Sequence, residues 1–136
     1  MHNKMKTIAR YLLAAAMTLI GLAHFVTPLP FVKIVPRMLP AALVLVLVSG
    51  ACEVLLGAML LPKRTRRWAG WGLIALYVAV FPANVNMAVN GISLDDNKPI
   101  SAAVLWARLP FQLLFIAWAY WVSRPAGADT DAAASP

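Results

Sequence analysis

The 136-residue chain is 62% hydrophobic and only 12% charged, with a mean hydropathy of +0.75. Soluble domains average about 45–50% apolar and about 25% charged residues, so a water-soluble fold of this size has nowhere to put the excess, whereas a bilayer is itself the apolar phase. The net charge of +7 sits in short clusters between apolar runs, which excludes a nucleic-acid-binding face and fits loops that meet anionic lipid.

The first predicted span covers residues 8–26, after Lys4 and Lys6 and with Arg10 near its start. A cleaved signal peptide is the competing reading. The apolar stretch exceeds the roughly 7–15 residues of a signal core, His24 stands near its end, and no small-x-small cleavage site follows. Ala14, Gly21 and His24 share one stripe of this helix. His24 reads either as a satisfied interfacial histidine or as a ligand.

Residues 27–39 contain Pro28, Pro30 and Pro36, and Pro40 opens the next span. Prolines this dense predict the absence of a regular helix, with Phe31 and Val32 packing the loop on the bundle. The second span, 39–61, carries Gly50, Glu53 and Gly57 on one stripe, with Ser49 four residues before the carboxylate. Glycines flanking a carboxylate let a neighbouring helix come close. Cys52 is the only cysteine, so an intrachain disulfide and a self-contained thiol relay are excluded. His2 and His24 are the only histidines, which excludes a bis-histidine haem within the spans.

The basic run Lys63-Arg64-Thr65-Arg66-Arg67 reads as a topology signal. The third span, 68–89, holds Asn84 and Asn86. Pro82 predicts a kink there that frees the Val78 carbonyl. Residues 90–101 form a polar loop with Asp95 and Asp96. The fourth span, 102–122, places Arg108, Gln112 and Phe115 on one stripe, and Pro110 frees the Trp106 carbonyl. From Pro125 the chain turns alanine-rich and polar, and a disordered cytoplasmic tail is expected over 125–136 beyond a single domain of 1–124. The fold class is therefore an all-α membrane protein, a four-transmembrane-helix bundle.

Lysine and arginine set orientation. Eight (Lys4, Lys6, Arg10, Lys63, Arg64, Arg66, Arg67, Arg124) fall on one side and three (Lys33, Arg37, Lys98) on the other. The richer side is expected in the cytoplasm, giving N-in, C-in topology. Tyr11, Trp68, Trp71, Trp118, Tyr120 and Trp121 gather at the same interface.

Ionisable side chains within a span are expensive and face the interior. His24, Glu53, Asn84, Arg108 and Gln112 form the expected polar pocket in the outer half of the bundle, beside Pro82 and Pro110. Glu53 reads as the structural ion-pair partner of Arg108 or as a proton or ligand site. Asn84, Asn86 and Gln112 equally suit interhelical hydrogen bonds.

The stretches GLAHFVTPLPFVKIVPRMLP, SGACEVLLGAMLL, VFPANVNMAV and WARLPFQLLFIAWAYW, in that order, resemble small bacterial DoxX-like membrane proteins over residues 8–122. Gly21, His24, Pro36, Gly50, Glu53, Gly57, Pro82, Asn84, Arg108 and Gln112 occupy the recurring positions. The resemblance implies a four-helix bundle of the inner membrane, associated with redox and oxidative-stress systems. The expected function is a redox-associated subunit with no covalent cofactor, in which the pocket holds a quinone or the chain contacts an oxidoreductase partner. The alternatives are a small proton-coupled transporter or exporter and a non-catalytic scaffold. Glu53 lies in the second helix, whereas the small multidrug exporters use the first, and the eight-to-three bias opposes dual topology. The expected partners are the lipid bilayer and the oxidoreductase subunit. Assembly into a homo-oligomer stays open.

Overall fold

The computed structural model describes residues 2–125. The disordered tail expected beyond Pro125 lies outside the described residues. Five helices follow in order: α1 (His2–Val26), α2 (Pro28–Ile34), α3 (Ala42–Met59), α4 (Arg66–Asn90) and α5 (Ala102–Ser123), with no strand among the described residues. α1, α3, α4 and α5 are long and apolar enough to cross a membrane. The protein is an all-α four-helix bundle, compatible with a multi-pass membrane protein.

A third or less of each long helix is buried inside the bundle. Leu19, Leu55, Val78, Leu113 and Leu114 point outward and are exposed. Helices serve this apolar setting because they satisfy every backbone polar group internally. α1 packs on α3, α3 on α4, α4 on α5, and α5 returns to α1. α1 and α4 are thus diagonal, as are α3 and α5. The end holding the start of α1 and the finish of α5 is the terminal end. The opposite, loop end carries α2 and residues 91–101.

The prolines of 27–39 do not prevent a helix, against expectation. Pro28 and Pro30 fall in the first turn of α2, where backbone N–H groups have no intrahelical acceptor in any case. Pro36 and Pro40 lie beyond its end. α2 fills the step left because α1 stops below the start of α3. Asn86 Nδ2 donates to the Ile34 carbonyl at 2.8 Å, and Lys33 Nζ meets Asp96 at 2.6 Å. Neither Pro82 nor Pro110 ends its helix. α3 starts later than the predicted span, after Ala41 in the left-handed conformation (φ 54°).

At the terminal end, basic side chains close carbonyls at or just beyond the ends of α3 and α5, where main-chain groups run out of helical partners. Arg66 donates to the Leu60 carbonyl at 3.2 Å and to the Leu61 carbonyl at 2.9 Å. Arg10 Nε donates to the Val122 carbonyl at 3.1 Å, and Lys6 Nζ to the Pro125 carbonyl at 3.2 Å. Arg124 stacks over Tyr120 and Trp71, at 4.4 and 4.8 Å from the ring centres.

Two apolar cores fill the bundle. Leu13, Met17, Leu60, Leu73, Ala119 and Val122 belong to the one at the terminal end. Ile34, Met87, Ala88 and Leu105 form the one at the loop end. In chain position His24, Asn84 and Gln112 each fall between the two.

Candidate functional site

α1 and α3 come together where Gly21 faces Gly50. A Cβ on Gly50 would stand 2.6 Å from His24 Cβ and 2.8 Å from the Gly21 carbonyl. No side chain fits there, so the helices approach to backbone contact. Lower on the seam, Gly57 packs against Ala14, Met17 and Thr18. This register brings His24 Nδ1 to 2.9 Å from Glu53 Oε2. Both residues are buried, at 7% and 8% exposure. Glu53 lies eleven residues beyond Ala42, about 16 Å into α3 by the helix rise.

The contact is close without being aligned as a hydrogen bond. Nδ1 and Oε2 are sealed and have no hydrogen-bond partner. Nε2 and Oε1 are not among the sealed atoms of the pair. The Phe31 ring of α2 meets the imidazole edge to face, with ring centres 4.0 Å apart.

The ion pair expected between Glu53 and Arg108 is not formed: His24 takes that place. The cause is the order of the helices. Glu53 on α3 and Arg108 on α5 belong to diagonal helices that do not pack on each other, whereas α1 lies directly against α3. Arg108 stands on the exposed surface of α5 with no ion pair among the described residues. It is six residues beyond Ala102, about 9 Å by the helix rise, so its long stem can carry the guanidinium toward the loop end.

Asn84 and Gln112 join α4 to α5. Gln112 is buried; its Oε1 accepts from Asn84 Nδ2 at 2.9 Å, and its Nε2 donates to the Tyr77 carbonyl. The carbonyl expected to be free was that of Val78, and the glutamine takes its neighbour. Tyr77 Oη in turn donates to Met17 Sδ at 3.1 Å. Of the five expected site residues, the structure brings together His24 with Glu53 and Asn84 with Gln112, and leaves Arg108 apart.

Two cavities, of about 510 and 440 Å³, open in the terminal half and touch none of the five. No group of three or more histidine, cysteine or acidic side chains suited to a metal forms among the described residues. Sequence reasoning missed Phe31 as the ring partner of His24, the Tyr77 carbonyl as an acceptor, and the burial of Arg10. The first had a signal, an aromatic residue in the proline-rich stretch beside the span end. A main-chain acceptor has none.

The family described as Domain of unknown function (DUF8561) matches residues 13–123, and the chain belongs to that family. The matched region includes all five expected site residues. No curated protein and no solved structure matches the chain.

Proposed function

We propose that this member of the family is a redox-associated subunit of the bacterial inner membrane, of the DoxX-like kind, that binds a quinone head group at His24 and Glu53. Its terminal end faces the cytoplasm, in keeping with the eight-to-three bias of lysine and arginine. The observation that carries the reading is the buried pair at 2.9 Å. With Nδ1 turned to the carboxylate, Nε2 is the nitrogen left for a ligand. As N–H it donates to a quinone carbonyl, and without its proton it accepts from a hydroquinone hydroxyl. The apolar helices around it suit a lipid-soluble ligand that needs few polar contacts. Phe31 covers the imidazole and offers an aromatic face to a planar head group. Electrons come from a partner oxidoreductase, since the chain carries no cofactor-attachment motif.

Glu53 also supports a second reading, proton-coupled transport, because a buried carboxylate beside a titratable ring is a natural proton site. One set of measurements separates the two. A short-chain ubiquinone analogue is expected to raise the melting temperature of the detergent-purified protein by mass action, and His24→Gln abolishes the rise while the variant still melts cooperatively. Absence of a rise, with Glu53-dependent proton flux in vesicles, favours the transporter. Neither response, with a copurifying partner protein, favours the scaffold.

A further inference from the structure

The two cavities of the terminal half lie one after the other along α1, the first lined by its residues up to Arg10 and the second from Tyr11 onward. The first is lined by Lys4, Thr7, Ile8 and Arg10 of α1 and by Lys63 and Arg66 beyond α3. The second continues with Tyr11, Ala15 and Thr18 of α1 and with Gly57, Ala58 and Leu61. Lys4, Thr7, Tyr11, Ala15 and Thr18 recur at intervals of three and four, one continuous stripe of a helix. The face is therefore basic at its terminal end and apolar and small beyond it.

We infer that this face is a binding site for an anionic phospholipid, with the phosphate headgroup in the basic cavity and one acyl chain in the groove between α1 and α3. Four cations line the headgroup end, and the acidic side chains among the described residues, Glu53, Asp95 and Asp96, all lie elsewhere. Arg10 is built in rather than dangling. It is only 8% exposed, and its Nε is held by the Val122 carbonyl at 3.1 Å. That bond uses one of five guanidinium N–H donors, leaving others for phosphate oxygens.

The apolar part has the dimensions of a lipid tail. From Tyr11 to Leu19 the groove runs along eight residue steps of α1, about 12 Å by the helix rise. One leaflet of hydrocarbon is about 15 Å deep, half of the roughly 30 Å core. Ala15 and Ala58, both exposed, keep the groove shallow-walled with a single methyl each, and Gly57 closes its floor against α1. A free phosphate would need the basic cavity alone and would leave the neighbouring apolar groove on the same helix unused, so the lipid is the better occupant.

The test uses the full-length protein in mild detergent, with dioleoyl phosphatidylglycerol, dioleoyl phosphatidylcholine and glycerol 3-phosphate as three separate probes, read by melting temperature and by native mass spectrometry. Phosphatidylglycerol is expected to bind and stabilise, and the other two are not. Lys4→Gln with Lys63→Gln, both exposed positions, is expected to weaken lipid binding roughly thirtyfold, at about 1 kcal/mol per basic residue near an anionic surface. Ala15→Leu with Ala58→Leu fills the groove and is expected to remove lipid binding while the lipid-free melting temperature holds. Equal binding of phosphatidylcholine, equal stabilisation by glycerol 3-phosphate, or lipid binding unchanged in both double variants would each overturn the proposal.

Discussion

His24 and Glu53 meet across the α1–α3 seam with Nδ1 and Oε2 2.9 Å apart, beneath the ring of Phe31. The pair exists because two glycines, Gly21 and Gly50, let the helices touch at that level. A carboxylate this deep is tolerated when a partner stands beside it, and the loss of either partner leaves the other buried and unpaired.

Glu53→Gln and His24→Gln are each expected to lower stability in detergent, and the double variant is expected to lose less than the sum. Coupling of about 0.5–3 kcal/mol is typical of residues in contact. Glu53→Gln combined with Arg108→Gln is expected to be additive within about 0.5 kcal/mol, as for separated sites. A denaturant-unfolding cycle measures both. Strong coupling to Arg108 and none to His24 would refute the pairing described here.

The seam glycines differ in tolerance. At Gly50 an added methyl group meets backbone and the root of His24 at 2.6–2.8 Å, and neither can swing away. At Gly57 the nearest atoms are at 3.1 Å. Gly50→Ala is expected to cost about 1–3 kcal/mol, the usual range for overpacking, and Gly57→Ala less. Melting temperatures rank the two, and the reverse order would mean that the seam lies elsewhere.

Gln112→Leu removes the link between Asn84 and the Tyr77 carbonyl. Interhelical hydrogen bonds in membranes average about 0.6 kcal/mol and reach about 1.7, so a modest loss is expected. Asn84→Ala on top of Gln112→Leu is expected to add little, because the bond it would break is already gone. Thermal unfolding of the two single variants and the double variant checks this; full additivity would show that the amides act separately.

Orientation has its own test. A reporter enzyme active only in the periplasm is expected to be silent when fused after Arg124 and active when inserted near Asn97, in the loop between α4 and α5. Activity at the first fusion would overturn the N-in, C-in reading.

The four long helices were legible because runs of about 20 apolar residues have few other uses. Gly50, Glu53 and Gly57 were legible as a close-packing stripe because helical spacing puts them on one face. Spacing says which residues share a face and not which helix lies opposite. The order of helices around the bundle is a long-range property, and it decided that Glu53 meets His24 instead of Arg108. α2 was hidden for a different reason. Prolines that forbid a helix interior are welcome in its first turn, and the difference depends on where the helix starts. Arg10 read as one more topology charge, since nothing local announces that Val122 will lie beside it.

The grip of Lys6 and Arg10 on the Pro125 and Val122 carbonyls has a consequence for biogenesis. α1 is synthesised before α5, so this clasp cannot close until translation has passed Pro125. Until then the two cations of α1 have no carbonyls to hold. On the proposed N-in, C-in orientation they are then available as retention charges for the inserting helix. On that orientation, the residues that help orient the nascent chain are the ones that later lock the finished bundle, and neutralising them to re-route insertion would also unfasten the product.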